Sequence, residues 1–120
     1  MKKILIVDDD KHIRALVSAT IERDELEILE AEDGEKALEI INKTKPDLVI
    51  LDVTMPKKNG LEVCRIIKSQ ETTRHIYVIM LTGKVEESDL QKGKEAGADE
   101  YFIKPFSPLA LLHKIDEILN

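Results

Sequence analysis

The stretch Ile4-Leu5-Ile6-Val7-Asp8-Asp9-Asp10 carries the pattern that decides the fold. Four consecutive apolar residues closed by three acids are typical of a short strand buried on both faces of a parallel sheet. Residues 48–51 and 78–81 form two further apolar runs of the same kind. Strands of this type occur almost only where helices cover both faces of the sheet, so the sequence predicts an α/β domain.

Strand-like and helix-like segments alternate along the rest of the chain. Strands are expected at residues 4–7, 27–31, 47–51, 76–81 and 100–103, and the second suits an exposed edge because it mixes acids with apolar residues. Helical signals fill the gaps, with a buried stripe expected for the first helix and caps expected at four helix starts. The stripe comprises Ile13, Leu16, Val17, Thr20 and Ile21, and the caps are Asp10, Asp33, Asn59 and Ser107. The sum is five β-α units.

Length and charge limit the possible functions. The chain has 120 residues, the size of one domain, and 42% of them are hydrophobic, which is enough for a compact core. The net charge of −6 argues against direct nucleic-acid binding. Its single cysteine, Cys64, excludes an internal disulfide, and no run is long enough for a membrane span. We therefore expect a cytoplasmic protein without membrane insertion.

Polar residues follow four of the predicted strands. Asp8 and Asp9 follow the first, Asp52 the third, Thr82 the fourth and Lys104 the fifth. Because the carboxyl ends of parallel strands meet at one edge, we expect these groups to converge. Close carboxylates repel unless a cation intervenes, and oxygen ligands without sulfur or imidazole favour Mg²⁺, for which Mn²⁺ can substitute. A carboxylate beside Mg²⁺, a lysine and a hydroxyl is suited to phosphoryl transfer.

Each of these features alone has a simpler interpretation. An acid pair after a strand is often a helix cap with a first-turn acid, and Asp10 is expected to be such a cap. Asp52 and Thr82 could belong to turns, and Lys104 could be a solvated surface lysine. The prediction of a site depends on the four strand ends taken together.

The combination of motifs resembles the receiver domains of two-component response regulators. It consists of Ile-Val-Asp8-Asp9, Leu-Asp52-Val-Thr-Met-Pro56 with Asn59-Gly60, Leu-Thr82-Gly and Lys104-Pro105-Phe106. The similarity covers residues 1–120, and the combined motif is far more specific than its pieces. It implies a doubly wound five-stranded parallel sheet of the flavodoxin-like (βα)5 type, with strand order 2-1-3-4-5.

The resemblance assigns roles at the acidic edge. Asp52 would be the phosphoacceptor, Asp9 a direct Mg²⁺ ligand and Asp8 a ligand acting mostly through water. The backbone carbonyl of Thr54 would supply another metal ligand. Side chains at Thr54 and Lys84 would tune the lifetime of the phosphate, and replacing Lys84 by alanine is expected to change the dephosphorylation rate.

The resemblance also assigns the groups that respond to phosphate. Lys104 would pair with the phosphoryl group and Thr82 would donate a hydrogen bond to it. Tyr101 matches a switch position that turns inward as Thr82 moves, and Lys104-Pro105 is expected to be a cis peptide. Ile13, at the start of the first helix, is a candidate for kinase docking, although a core position is an equal alternative.

The favoured function is a switch rather than a conventional enzyme. It would accept a phosphoryl group from a sensor histidine kinase or phosphotransfer protein and pass the signal to a downstream protein through its fourth helix, fifth strand and fifth helix. A phosphorelay intermediate is an alternative, as a monomer or as a phosphorylation-dependent dimer. If the 120 residues are complete, the output must be a protein contact; the alternative is the first domain of a regulator with a DNA-binding output domain.

Two other classes share parts of the pattern. Haloacid dehalogenase-type phosphatases also use an aspartate at a strand end with Mg²⁺, but Thr54 stands where they usually have a second aspartate. These phosphatases also usually carry a cap region, for which 120 residues leave no room. A flavodoxin-like FMN carrier needs a neutral phosphate-binding loop after the first strand, and Asp8-Asp9-Asp10 would repel the phosphate.

Overall fold

A computed structural model describes residues 1–53, 59–83 and 87–119, with the backbone alone for residues 87–90. Strands and helices alternate strictly along the described chain. The elements are β1 (Lys2–Val7), α1 (Lys11–Ile21), β2 (Leu26–Ala31), α2 (Gly34–Thr44), β3 (Leu48–Asp52), α3 (Gly60–Ser69), β4 (Tyr77–Thr82), α4 (Glu87–Ala96), β5 (Glu100–Ile103) and α5 (Pro108–Leu119).

The five strands form one parallel sheet in the order β2-β1-β3-β4-β5. This confirms the predicted fold class and strand order. Each predicted strand overlaps the observed one to within two residues at either end, and β5 has the predicted bounds. β2 lies at the edge, as expected, with Glu27 and Glu30 exposed.

The core consists of two apolar layers, one on each face of the sheet. Alternate residues of β1 point to opposite faces, so that Leu5 and Val7 pack with α2 and α3, whereas Ile4 and Ile6 pack with α1 and α5. All four are at most 1% exposed. The continuous apolar runs therefore correspond to strands that are covered on both faces, as the sequence predicted.

Side-chain caps define where the helices begin. Backbone N–H groups donate to the side chains of Asp10, Asp33, Asn59 and Ser107, at 2.8, 2.8, 3.0 and 3.2 Å respectively. These four predicted caps are confirmed. Gly97 has a φ of 95° directly after α4, where an L side chain would be strained.

The prediction that Leu16 belongs to the buried stripe of α1 is wrong. Val17 and Ile21 fill the centre of the contact with the sheet, whereas 46% of Leu16 is exposed. Leu16 lies on the flank of α1 and lines a shallow groove with Ile13 and Phe106. Periodicity identifies the inward face of a helix, but it does not give the width of the surface that covers this face. No helix in the described part of the chain is both long enough and apolar enough to cross a bilayer.

Candidate functional site

The carboxyl edge of the sheet brings the predicted polar residues together. Asp8 follows β1, Asp52 ends β3 and Thr82 ends β4, and these three residues are 1%, 5% and 2% exposed. Lys104 follows β5, and its Nζ donates to Asp52 Oδ1 at 2.9 Å and to Asp8 Oδ2 at 3.2 Å. The convergence expected from parallel topology is therefore present.

Three carboxylates form a cluster at this edge. Asp8, Asp9 and Asp52 each offer an oxygen, and these oxygens all lie within 4.8 Å of one another. Asp9 is exposed, whereas Asp8 and Asp52 are buried, so the cluster opens to solvent on one side. An all-oxygen set with an open side fits Mg²⁺, which keeps several of its waters in proteins. Thr54, which was predicted to add a carbonyl ligand, lies outside the described residues, as does Lys84.

Burial and the charges of the cluster together shift the pKa values of two groups. Burial raises the pKa of Asp52; the hydrogen bond from Lys104 opposes this effect, and the charges of Asp8 and Asp9 add to it, with a net rise. Burial alone would lower the pKa of Lys104, but its hydrogen bond and attraction to Asp52, with help from Asp8, outweigh burial and raise it. Lys104 is therefore a firmly protonated cation, and its contact offsets only part of the cost of burying the Asp52 carboxylate.

Backbone contacts fix the acidic loop between β1 and α1. The N–H of Asp8 donates to Ala31 O at 3.2 Å, and Asp8 Oδ1 accepts from the N–H of Asp10 at 2.9 Å. The main-chain oxygen of Asp8 accepts from Arg14 Nη1 at 2.6 Å. The sequence motifs do not predict this contact of Arg14. Its position one helical turn after the Asp10 cap was the available signal, because that turn begins beside the acids.

Gly60 allows α3 to begin directly against β3. Its N–H donates to Val53 O at 2.9 Å, and a β-carbon at this position would overlap the main-chain oxygen of Asp52. A side chain at residue 60 would therefore push α3 away from the backbone that carries Asp52. The quoted pair Asn59-Gly60 thus combines a helix cap with a close approach to the site.

Tyr101 links the edge of the sheet to α4. It lies on β5, paired in register with Met80, and its ring is partly buried. The Tyr101 hydroxyl occupies the space in which a β-carbon at Gly93 would lie, so the absence of a side chain at residue 93 accommodates the ring. Thr82 pairs in register with Ile103, two residues farther along both strands. The structure thus places the two predicted switch residues on adjacent strands.

The connection between β5 and α5 completes the edge. The Lys104–Pro105 peptide bond is cis. Ile13 is partly buried and lines an apolar groove of about 310 Å³ with Leu16, Lys104, Pro105 and Phe106. Ile13 therefore lies beside the acidic edge. Its partial burial is intermediate between the exposed docking residue and the core residue that the sequence left as alternatives.

Comparison with known proteins gives consistent matches. The family model described as response regulator receiver domain matches residues 4–116. The alkaline phosphatase synthesis transcriptional regulatory protein PhoP of Bacillus subtilis is 43% identical over 119 residues, covering 99% of this chain and 49% of the relative. The phosphate regulon transcriptional regulatory protein PhoB of Pseudomonas aeruginosa is also 43% identical, with 99% and 52% covered. The chain thus spans about half the length of the curated relatives it matches.

Solved structures show the same similarity in three dimensions. A putative response regulator from Chloroflexus aurantiacus aligns with a TM-score of 0.91 and 34% identity, covering 98% of this chain and 97% of the other. The chemotaxis response regulator CheY4 of Vibrio cholerae aligns with a TM-score of 0.90 and 35% identity, covering 98% of each chain. These matches agree with the order of the strands in the sheet.

Proposed function

The chain belongs to the response regulator receiver domain family, and on that premise we propose that it is a phosphorylation-dependent switch with Asp52 as the phosphoacceptor. The observation that carries the proposal is the position of Lys104, whose ammonium contacts both Asp52 and Asp8 within the three-carboxylate cluster. The family match across residues 4–116 supports this proposal over the phosphatase and FMN-carrier alternatives.

Asp8, Asp9 and Asp52 would hold a divalent cation, with Mg²⁺ as the preferred ion and Mn²⁺ as a substitute. When bound, the cation would neutralise part of the charge on a transferring phosphoryl group. Asp9 would be the most accessible ligand because it is exposed, whereas buried Asp8 is held by the loop backbone. The Thr54 carbonyl belongs to the proposed ligand set on the resemblance alone.

Transfer to Asp52 would exchange one bond to phosphorus for another. A carboxylate oxygen of Asp52 attacks the phosphorus of a phosphohistidine, forming an acyl phosphate, and the P–N bond breaks to release the imidazole, which takes up a proton. Lys104 would move its hydrogen bonds from the carboxylates to phosphoryl oxygens. The Thr82 hydroxyl, at the end of the neighbouring strand, would donate to another of them.

The switch would follow from the charge that the phosphoryl group adds. At pH 7 this is about −1.5 to −2 units, with three strong acceptor oxygens. Movement of Thr82 toward these oxygens would free space on β4, and this would favour an inward orientation of Tyr101 on β5. The proposed output surface consists of α4, β5 and α5, which would contact a downstream protein either in a monomer or in a phosphorylation-dependent dimer. Turnover would be limited to self-phosphorylation and dephosphorylation.

The phosphodonor would be a sensor histidine kinase or phosphotransfer protein in the cytoplasm. The proposed docking surface is the apolar groove between α1 and the β5–α5 connection, to which Ile13 and half-exposed Leu16 contribute. Its position next to Lys104 would bring the phosphohistidine of the donor close to Asp52. Direct nucleic-acid binding and membrane insertion are not part of the proposal.

Intact mass spectrometry after incubation with acetyl phosphate and Mg²⁺ tests the acceptor. We expect the wild-type chain to gain the mass of one phosphoryl group only when Mg²⁺ is present, and Asp52→Asn to gain none. Asp24→Asn is the matched control, because it removes an exposed acid after α1 and should leave the gain intact. A wild-type chain that binds Mg²⁺ but gains no mass, or an Asp52→Asn chain that still gains it, would contradict the proposal.

A further inference from the structure

Arg14 connects the edge strand of the sheet to the acidic loop. Its Nη1 donates to the main-chain oxygen of Asp8 at 2.6 Å, and its Nε donates to Glu30 Oε1 at 3.0 Å. The Arg14 side chain is 16% exposed, whereas that of Glu30 is 46% exposed. A largely buried guanidinium thus spans from β2 to the turn that carries two of the three carboxylates.

The oxygen that Arg14 holds belongs to the peptide group between Asp8 and Asp9. The side chain of Asp8 is already fixed by the N–H of Asp10 and by Lys104 Nζ. Asp9 is exposed, and the orientation of this peptide group sets the direction in which its side chain leaves the backbone. The guanidinium contact is therefore placed to control the approach of Asp9 to the other two acids.

We propose that Arg14 is a positioning residue for the metal site, an inference that rests on the proposed function of the acidic cluster. By holding the Asp8 oxygen, it fixes the Asp8–Asp9 peptide so that the Asp9 carboxylate meets Asp8 and Asp52 around one cation. Arginine suits this role because its planar fork reaches two acceptors in fixed directions, which an ammonium on a flexible stem does not reproduce.

Calorimetric titration with Mg²⁺ alone tests the proposal on the unphosphorylated chain. Groups that orient metal ligands typically change metal affinity by 10- to 100-fold, so we expect Arg14→Gln to weaken Mg²⁺ binding about tenfold. Arg14→Lys keeps the charge and should recover only part of the affinity. Arg23→Gln is the matched control, because Arg23 pairs with Glu25 and Asp116 beyond the other end of α1 and should not affect the metal.

Two further measurements separate positioning from general loss of structure. The amide NMR signal of Asp9 in the metal-free chain should shift in Arg14→Gln and stay unchanged in Arg23→Gln. Glu30→Gln removes the carboxylate that holds the Arg14 guanidinium from an exposed position on β2. It should weaken Mg²⁺ binding relative to the wild-type chain, though less than a folded Arg14→Gln variant does. This variant keeps the proposal testable if Arg14→Gln does not fold.

The outcomes distinguish this proposal from the one on which it rests. Equal Mg²⁺ affinity in Arg14→Gln and Arg23→Gln would overturn the role of Arg14 and leave the metal site standing. Full recovery in Arg14→Lys would overturn it as well, because charge rather than geometry would then suffice. If the wild-type chain itself failed to bind Mg²⁺, the proposed metal site would fall, and the role of Arg14 with it.

Discussion

Lys104 Nζ lies 2.9 Å from Asp52 Oδ1, and this contact bridges the ends of β5 and β3 across the intervening strand β4. The same ammonium lies 3.2 Å from Asp8 Oδ2, so one cation serves two buried carboxylates. The pairing keeps Lys104 protonated but does not fully offset the burial of Asp52, whose pKa is raised. Without a divalent ion, the site therefore holds uncompensated negative charge.

Asp52→Asn should stabilise the metal-free protein at neutral pH. Because its pKa is raised in the folded state, Asp52 favours folding while its carboxyl group is protonated. This contribution is lost as the pH rises through the folded-state pKa, so ionised Asp52 lowers the stability at neutral pH. A neutral amide can still accept from Lys104, so we expect a gain of about 1–3 kcal/mol, the range for a buried polar group relieved of its desolvation penalty. Urea unfolding in EDTA at pH 7 measures it.

The stability gain of Asp52→Asn should disappear in acid, where the carboxyl group of Asp52 is protonated in both the folded and the unfolded state. Asp47→Asn replaces an exposed acid that accepts from the Lys3 N–H, and it should give no comparable gain. A destabilised Asp52→Asn at pH 7 would show that the Lys104 contact outweighs the burial of the charge.

Mg²⁺ should stabilise the fold through the three carboxylates. An ion that binds only the folded state adds about 2.7 kcal/mol when its concentration is 100 times its dissociation constant. We expect this gain for the wild-type chain and a much smaller one for Asp9→Asn, measured by urea unfolding with and without Mg²⁺. Asp10→Asn is the control, because asparagine caps a helix as well as aspartate does and residue 10 is outside the cluster. Equal gains in both variants would argue against Asp9 as a ligand.

The sheet and the acidic edge were predictable because they depend on local patterns. Continuous apolar runs placed the central strands, and the mixed composition of residues 27–31 placed β2 at the edge. Parallel topology then brought Asp8, Asp52 and Lys104 together without any contact having to be known.

Features that depend on how helices seat against the sheet were not predictable. The exposure of Leu16 follows from the flank position of its side chain on α1, and the Arg14–Asp8 contact from the rotation of the same helix. The fit of Tyr101 over Gly93 joins β5 to α4 in the same way. No periodic pattern in the sequence predicts these three features, because each depends on the distance and rotation between two packed elements.

Gly93→Ala should destabilise the protein, although alanine is the better helix former. In an exposed helix this change adds about 0.5–1 kcal/mol of stability, but here the new methyl group would overlap the Tyr101 hydroxyl. We expect a loss of about 1–3 kcal/mol, as for overpacking in other cores. Urea unfolding measures it, with a change in tyrosine fluorescence as the ring moves.

A double-mutant cycle checks the cause of this effect. In a Tyr101→Ala background the space over residue 93 is free, so Gly93→Ala should there become stabilising. If Gly93→Ala stabilises the wild-type chain as well, the ring does not depend on the small residue in α4.

Cys64 should make the stability of the fold sensitive to alkaline pH. Its side chain is fully buried on α3, and its Sγ lies 3.4 Å from Ala96 O, to which the thiol donates. Burial raises the pKa of the Cys64 thiol to about 11 from an ordinary value of 9.0. Because the unfolded chain releases this proton first, the contribution of Cys64 is complete below pH 9 and is lost as the pH rises toward 11.

Urea unfolding between pH 8 and pH 11 should therefore show a steeper fall in the free energy of unfolding for the wild-type chain than for Cys64→Ala. The variant starts from a lower stability because it leaves a cavity. Lysine and tyrosine groups titrate in both chains, so the difference between the two curves isolates the thiol; parallel curves would show that Cys64 ionises as readily in the folded as in the unfolded state.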